Sequence, residues 1–135
     1  MYDGEMEKNF HKWCVIKEKL DKILTRPNFS ARDIWFCYLG ANVGDEQNAS
    51  QEDDFIRPVV IIRKFNNHLC WIVPLTKTQK SSQHYVSFSF IGLDVSTAII
   101  SQIRSIDASR LTRKIGYMRN VDYKELSKKL KEFLP

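Results

Sequence analysis

Residues 57–76, RPVVIIRKFNNHLCWIVPLT, decide the fold that we predict for this chain. Two apolar runs rich in β-branched residues flank Asn66 and Asn67, and asparagine tolerates the positive φ of a tight hairpin turn. The first run, Val-Val-Ile-Ile, has no polar position, which is typical of a strand buried on both faces. Pro58 and Pro74 lack a ladder donor, so we expect them at the ends or the edge of this ribbon. The stretch therefore predicts an antiparallel hairpin, in which Arg57 at its start and Thr76 at its end lie side by side.

The composition is that of one folded domain. The chain has 135 residues, of which 43% are hydrophobic and 12% aromatic. This balance excludes an intrinsically disordered protein. The longest apolar runs are too short to span a bilayer, and the N-terminus lacks the layout of a signal peptide, so we expect a cytoplasmic protein without a membrane partner. A net charge of +5 weakly favours a polyanionic partner.

Metal and cofactor chemistry find little support in the sequence. Cys14, Cys37 and Cys70 have no C-x-x-C spacing and lie in apolar patterns, so we expect buried thiols rather than a zinc site. The histidines at positions 11, 68 and 84 are not spaced as metal ligands. No Gly-rich phosphate loop or nucleophile elbow is present. We therefore expect neither a metal nor a cofactor.

Two amphipathic helices are expected at the ends of the chain. Apolar residues recur at helical spacing over residues 7–24 and again over residues 122–134, where Asp122 and Glu125 resemble a capping box. Residues 40–54 are polar and are expected to form a long surface loop. Apolar or alternating runs predict further strands at residues 33–39, 86–90, 98–107 and 114–118, with the chain turning over residues 92–97.

This order of elements predicts a mainly β (α+β) fold. Five or six short strands followed by a helix favour a small, strongly bent antiparallel sheet or barrel. We divide the chain into an N-terminal helical extension, residues 1–27, and a main domain, residues 28–135.

The polar residues that are best suited to chemistry suggest a site for RNA. RNA carries its own nucleophile, the 2′-hydroxyl, so cleavage needs a base, positive charge for the phosphorane and help for the departing 5′-oxygen. Arginine stabilises such charge with paired hydrogen bonds to phosphate oxygens and is a poor proton donor. An ordinary salt-bridged strand end is the alternative interpretation. The residues concerned are Glu46, Gln47, Arg57 and Thr76, with Gln102 and Arg104 as possible neighbours.

Five short motifs follow one another in a recognisable order. Together they resemble the MazF/PemK toxins of bacterial type II toxin–antitoxin systems, over residues 28–118. The motifs are DIWF at 33–36, GDEQ at 44–47, RPVVII at 57–62, VPLT at 73–76 and SQIRSID at 101–107.

The resemblance implies a small SH3-like barrel of the CcdB/PemK type with a C-terminal helix, forming a homodimer. It implies a metal-independent, sequence-specific endoribonuclease that cleaves single-stranded mRNA and leaves a 2′,3′-cyclic phosphate and a 5′-hydroxyl. A cognate antitoxin would neutralise it, and operator DNA would be bound only through the antitoxin complex. Arg57 matches the family's catalytic arginine, Glu46 the acid often assigned as the base, and Thr76 the threonine that contacts the scissile phosphate.

Further residues are assigned to RNA binding. The set is Gln47, Lys77, Gln102 and Arg104. Single-stranded RNA is read through splayed bases that stack on aromatic rings. Trp35, Tyr38 and Phe65 are candidates for such stacking, with core packing as the alternative for each.

The sequence also departs from the family pattern. Arg32 stands where the family usually has glycine, Asp45 where it has serine, and Ser101 where an acidic residue is common. The N-terminal helix lies outside the usual domain, and is either a structural brace or a cover over part of the antitoxin surface. Two other functions stay open: a CcdB-like toxin that grips a protein target, and a DNA-binding autoregulator.

Overall fold

The computed structural model describes residues 12–17, 19, 26–40, 56–77, 84–90 and 93–135. Residues 12–17 and 19 are helical, in agreement with the predicted N-terminal helix, whose remaining residues lie outside the described ranges. The strands of the described part are β1 (Asp33–Tyr38), β2 (Ile56–Lys64), β3 (Leu69–Thr76), β4 (Tyr85–Phe90), β5 (Leu93–Ile99), β6 (Arg104–Asp107) and β7 (Leu111–Tyr117). The C-terminal helix α1 is Asn120–Phe133, and two 3-10 turns span Ile100–Gln102 and Ala108–Arg110.

The strands form one antiparallel sheet in the order β4-β5-β3-β2-β1-β7, and β6 also pairs with β3. Strand β3 is the centre of the fold, because it pairs with β2 along one edge and with β6 and then β5 along the other. The change of partner bends the sheet. The predicted mainly β fold with a C-terminal helix is confirmed.

The hairpin from β2 to β3 is present as predicted. Val59, Val60 and Ile61 are fully buried, as the continuous apolar run predicts. The last pair of the β2–β3 ladder is Val59 with Pro74, and Pro58 comes just before it. The two prolines therefore lie where this ladder ends, as their missing N–H groups require.

The turn at the tip of this hairpin differs from the prediction. Among the described non-glycine residues, only Arg32 has a positive φ, of 76°, so the expected positive φ at Asn66 and Asn67 is wrong. Instead, the Asn66 side-chain oxygen accepts hydrogen bonds from the backbone N–H groups of His68 and Leu69, at 2.7 and 2.9 Å. A side chain that closes the turn in this way removes the need for a left-handed residue.

Arg32 occupies the left-handed conformation in which glycine is easiest to place, at the position where the resemblance leads us to expect glycine. Its backbone N–H donates to Ile61 O and its carbonyl accepts from Met118 N, both at 2.8 Å. Its Nε donates to Met118 O at 3.0 Å, and its guanidinium lies 5.7 Å from the centre of the Tyr117 ring. These contacts offset a strain of roughly 1–2 kcal/mol.

One strand prediction and one turn prediction are wrong. The stretch 98–107 is not one strand, because β5 ends at Ile99, a 3-10 turn follows, and β6 begins at Arg104. Ile99 and Ile100 are both buried, and the 3-10 turn that begins at Ile100 leads the chain from the β5 pairing into the β6 pairing. The stretch 92–97, predicted as a turn, belongs largely to β5. Its polar Thr97 is fully buried there, with its hydroxyl 3.0 Å from the Ser87 hydroxyl.

The start of the C-terminal helix also differs. Helix α1 begins at Asn120, with Arg119 at the N-cap position and no side-chain cap hydrogen bond. Asp122 therefore lies in the first turn and pairs with Arg119 Nε at 3.0 Å, in place of the predicted capping box. An acidic residue in the first turn still favours the helix through its dipole.

The core divides into two clusters on opposite faces of the central strands. The helix-side core includes Ile34, Val60 and Val73, and α1 covers it with the buried residues Leu126 and Leu130. The second core lies on the other face and is built from Phe29, Trp35, Cys37, Leu39, Val59, Ile61, Cys70, Ile72, Ile106, Ala108 and Leu111. The two sets alternate along β1 and β2, as the period of a strand requires. Cys37 and Cys70 are buried as predicted, whereas Cys14 is exposed.

Arg26 ties the chain before β1 to the end of β6. Its Nε and Nη2 donate to the two carboxylate oxygens of Asp107 at 3.1 and 3.2 Å, and Ser109 N donates to the same carboxylate at 2.9 Å. Burial works to raise the pKa of Asp107, but the hydrogen bonds from Arg26 and Ser109 outweigh it and lower this pKa from 3.8 to about 2.

We expect Arg26→Ala to raise the pKa of Asp107 towards its ordinary value. A carboxyl whose pKa is lowered by folding stabilises the protein above the unfolded pKa, and this contribution is lost as the pH falls through the folded pKa. The Asp107 side chain is 45% exposed, so the loss of unfolding free energy at pH 7 should be at most about 1 kcal/mol. The difference from wild type should disappear between about pH 4 and pH 2. Urea unfolding across this range measures it. Lys129→Ala, in a 4.0 Å surface pair with Glu125, is the control and should change little.

Candidate active site

Strand pairing fixes the direction of the Arg57 side chain. Arg57 in β2 is directly opposite Cys37 in β1. Paired residues of antiparallel strands point to the same face, and Cys37 belongs to the second core. Arg57 therefore emerges at the rim of the second core, where it is half-buried.

The same reasoning places Thr76. Arg57 and Thr76 each lie two residues beyond the last β2–β3 pair, Val59 with Pro74. Because side chains alternate with a period of two, the pairing directs Arg57 and Thr76 to one face of the sheet. At this point β3 has changed partner, and Thr76 pairs with Thr97 of β5. The two side chains thus share a face, as the hairpin predicts.

Two further arginines approach the same face. Arg104 pairs with Ile72, and Ile72 pairs with Ile61 of the second core. Arg110 lies in the 3-10 turn that leads into β7, where Leu111 pairs with Cys37. We call the surface formed by Arg57, Arg104 and Arg110 the arginine face.

The electrostatics of this face centre on Cys37. Burial raises the pKa of the Cys37 thiol from 9.0 to about 12, and the charges of Arg110 and Arg104 oppose this rise. The thiol therefore stays protonated and is a poor nucleophile. Burial lowers the pKa of Arg110, and the neighbouring charge of Arg104 lowers it further. Two like charges held this close favour a bound anion.

Arg110 also has an unmet hydrogen-bonding requirement. Its Nη1 is buried, and none of the residues that the structure describes accepts a hydrogen bond from it. A buried donor without an acceptor is costly, and the cost is larger when the group is charged. An acceptor supplied by a bound molecule would remove this cost.

A row of hydroxyl groups continues from Thr76 across the sheet. Thr76 is opposite Thr97 in β5, and Thr97 is opposite Ser87 in β4. The row thus contains one hydroxyl from each of three neighbouring strands, and its last member, Ser87, is exposed. It was missed in the sequence, because the segment containing Thr97 was predicted as a turn.

The other predicted site residues fall in three groups. Lys77 is exposed directly after Thr76, and Gln102 is half-buried in the 3-10 turn that precedes Arg104. Glu46 and Gln47 lie outside the described residues. The structure thus directs Arg57, Thr76 and Arg104 to one face and leaves the roles of all these residues as predictions.

The three candidate stacking residues differ in their surroundings. Trp35 is a core residue, 6% exposed. Phe65 is 42% exposed and packs edge-on against Trp71, at the hairpin tip and so at the far end of β2 from Arg57. Tyr38 is half-buried and contacts Trp13 of the N-terminal helix, with ring centres 6.5 Å apart. Arg110 and Trp13 were not predicted as site residues; only the basic character of residues 110–114 hinted at Arg110.

None of the helices in the described ranges combines the length and apolar character that a membrane span requires. The fold and its basic rim define a class of small proteins with a bent antiparallel sheet, a C-terminal helix and one arginine-rich face. The comparison with known families is specific. A sequence profile described as "PemK-like, MazF-like toxin of type II toxin-antitoxin system" matches residues 30–134. The chain belongs to this toxin family.

Solved structures agree with this fold. MazF (Form-I) from Deinococcus radiodurans has a TM-score of 0.64 at 17% identity, covering 81% of this chain and 96% of its own. An endoribonuclease in complex with its cognate antitoxin, from a mycobacterial species, has a TM-score of 0.62 at 14% identity, covering 80% and 98%. Mycobacterium tuberculosis toxin MazF-mt6 has a TM-score of 0.58 at 20% identity, covering 75% and 94%. No curated protein sequence matches the chain.

Proposed function

We propose that this toxin is a metal-independent, sequence-specific endoribonuclease that cleaves single-stranded mRNA on the arginine face. The observation that carries the proposal is the pairing of Arg57 with Cys37, since Arg104 and Arg110 act on the same thiol. A phosphorane carries more negative charge than the phosphodiester from which it forms. Fixed positive charge at that point therefore stabilises the transition state more than the bound substrate.

The chemistry needs one base and one cation. Glu46 removes the proton of the RNA 2′-hydroxyl, whose oxygen attacks the adjacent phosphorus. Arg57 binds the phosphorane oxygens with paired hydrogen bonds. The Thr76 hydroxyl donates to a non-bridging oxygen. The bond to the 5′-oxygen then breaks; this oxygen takes up a proton from the solvent, and Glu46 releases the proton that it removed, so the step is proton-neutral overall. The products are a 2′,3′-cyclic phosphate and a 5′-hydroxyl, so that no water is consumed in this step.

Binding of the RNA strand extends along the same face. Arg104 and Lys77 neutralise neighbouring phosphates, and such contacts make affinity fall steeply with salt. Gln47 and Gln102 supply amide groups that read base edges. The half-buried position of Gln102, two residues before Arg104, supports a role beside a phosphate contact.

The partners follow from the family. We propose a cytoplasmic homodimer that a cognate antitoxin neutralises, with operator DNA bound only through the antitoxin complex. The structure of a mycobacterial endoribonuclease in complex with its cognate antitoxin, which shares this fold, supports an antitoxin partner.

The test is cleavage of a long RNA by purified protein in EDTA, with the cut sites and the chemistry of the new ends determined. We expect cleavage at a defined sequence, cyclic phosphate ends, and no loss of rate when EDTA is added. Cleavage that disappears in EDTA would contradict the mechanism. Absence of cleavage under all conditions, with intact folding, would favour the non-catalytic alternatives, a CcdB-like binder of a protein target or a DNA-binding autoregulator.

A further inference from the structure

The N-terminal helix places one aromatic ring in a slot beside the arginine face. Trp13 is only 7% exposed, although it belongs to a segment outside the family match. Its ring lies 6.5 Å from the Tyr38 ring, inclined by 31°, and the Arg110 guanidinium lies 5.5 Å from its centre. We call the space bounded by Tyr38, Gly40 and Arg110 the ring slot.

The absence of a side chain at Gly40 leaves the space that the Trp13 ring occupies in the ring slot. A Cβ atom at this position would lie 2.0–2.5 Å from atoms of the Trp13 ring, which is too close for any contact. Gly40 also has a φ of 82°, which disfavours other residues. The slot therefore admits a flat ring only because the residue beneath it has no side chain.

Trp13 fills the shape of the ring slot but leaves one of its polar groups unsatisfied. The buried Nη1 of Arg110 has no acceptor among the described residues. Indole is a donor only, so Trp13 cannot supply one. A nucleobase presents a π-face for Tyr38 and Arg110, and the nucleotide that carries it adds phosphate and sugar oxygens that accept hydrogen bonds. A nucleotide can therefore supply both the stacking surface and the acceptor that Nη1 lacks, whereas an indole has no acceptor.

The ring slot adjoins the position of the proposed chemistry. Arg110 makes this connection, because it acts electrostatically on Cys37, which pairs with Arg57; Tyr38 is the next residue along β1, and its side chain alternates to the other face. A base held in the slot would belong to a nucleotide close to the phosphate that Arg57 binds.

We propose that the ring slot is a binding site for one base of single-stranded RNA, and that Trp13 occupies it when no RNA is bound. RNA must then displace the ring of the N-terminal helix, so the helix lowers the affinity of the toxin for its substrate. The proposal rests on the proposed function only in taking RNA as the ligand, and it requires no cleavage.

The test uses a fluorescein-labelled, single-stranded 2′-O-methyl RNA, which the proposed mechanism cannot cleave, and measures binding to the full chain by anisotropy. We expect Trp13→Ala to bind about five- to tenfold more tightly than wild type, the order of effect of one stacked base. Val15→Ala, on the same helix and 40% exposed, is the matched control and should bind as wild type does. Unchanged or weaker binding by Trp13→Ala would overturn the proposal.

A second variant tests whether the gain comes from the slot itself. An alanine at Gly40 would obstruct any ring placed where the indole lies, so Gly40→Ala added to Trp13→Ala should abolish the gain. A gain that survives this addition would overturn the proposal. Trp13→Leu should tighten binding in the same direction, so the result does not depend on the folding of one variant, which circular dichroism checks. If Trp13→Ala binds RNA more tightly but no variant cleaves RNA, the ring-slot proposal is supported and only the proposed nuclease activity is contradicted.

Discussion

Replacing Arg57 by alanine is expected to lower the rate of RNA cleavage by about 10³-fold, because in the proposed mechanism Arg57 is the cation that stabilises the charge of the phosphorane. Arg57 lies at the rim of the second core, opposite Cys37, so its side chain is held by a strand rather than by a loop. A cation placed by a strand needs little reorganisation as charge develops, and this is the source of the large effect. Binding of an uncleavable RNA should weaken far less than cleavage.

Two variants sharpen this prediction. Arg57→Lys keeps the charge but loses the paired hydrogen bonds, so we expect activity between that of wild type and that of alanine. Arg63→Ala is the matched control, since Arg63 lies on the same strand but is exposed and lies over the Phe65 ring, 5.4 Å from its centre. It should cleave at nearly the wild-type rate. Equal rates for wild type and Arg57→Ala, measured as initial rates on one RNA, would contradict the assignment.

The central hairpin was predictable because local rules determine it. A fully apolar run, two prolines and a polar tip define β2 and β3, and the prolines lie where the ladder ends. The terminal helix was equally clear, since Leu126 and Leu130 are buried on one face at helical spacing. In both cases the local pattern of apolar residues, a continuous run in β2 and a helical period in the helix, identifies the element.

The wrong secondary-structure predictions occur where pairing with strands that are distant in the sequence determines the local structure. The stretch 98–107 breaks into two strands because β3 pairs with β5 at Leu75 and with β6 at Ile72, which no local pattern reveals. Thr97 lies in a strand that pairs with Thr76 on one side and with Ser87 on the other, and the Ser87 hydroxyl is 3.0 Å from its own. The Asn66 turn differs because a side chain closes it, an alternative that the composition of the turn permits equally well.

One part of the candidate site could also be predicted from the sequence, and another part could not. That Arg57 and Thr76 share a face follows from hairpin pairing alone, so the sequence was sufficient for it. The approach of Arg110 to Cys37 and of Trp13 to Gly40 depends on contacts between segments far apart in the chain. These contacts could not be read from spacing. The roles of Glu46 and Gln47 stay predictions, since both residues lie outside the described ranges.

The central claim is that RNA supplies its own nucleophile while the protein supplies charge and a base. The most direct measurement is cleavage of an RNA in which a single nucleotide, the one on the 5′ side of the mapped cut, carries hydrogen in place of its 2′-hydroxyl. We predict that cutting at this site is lost, by more than about 10³-fold, because in the proposed mechanism the 2′-hydroxyl is the group that attacks the phosphorus. Binding should be nearly unchanged, and cuts at other sites in the same RNA should persist. Continued cutting at the substituted site would show that water is the nucleophile and would contradict the account.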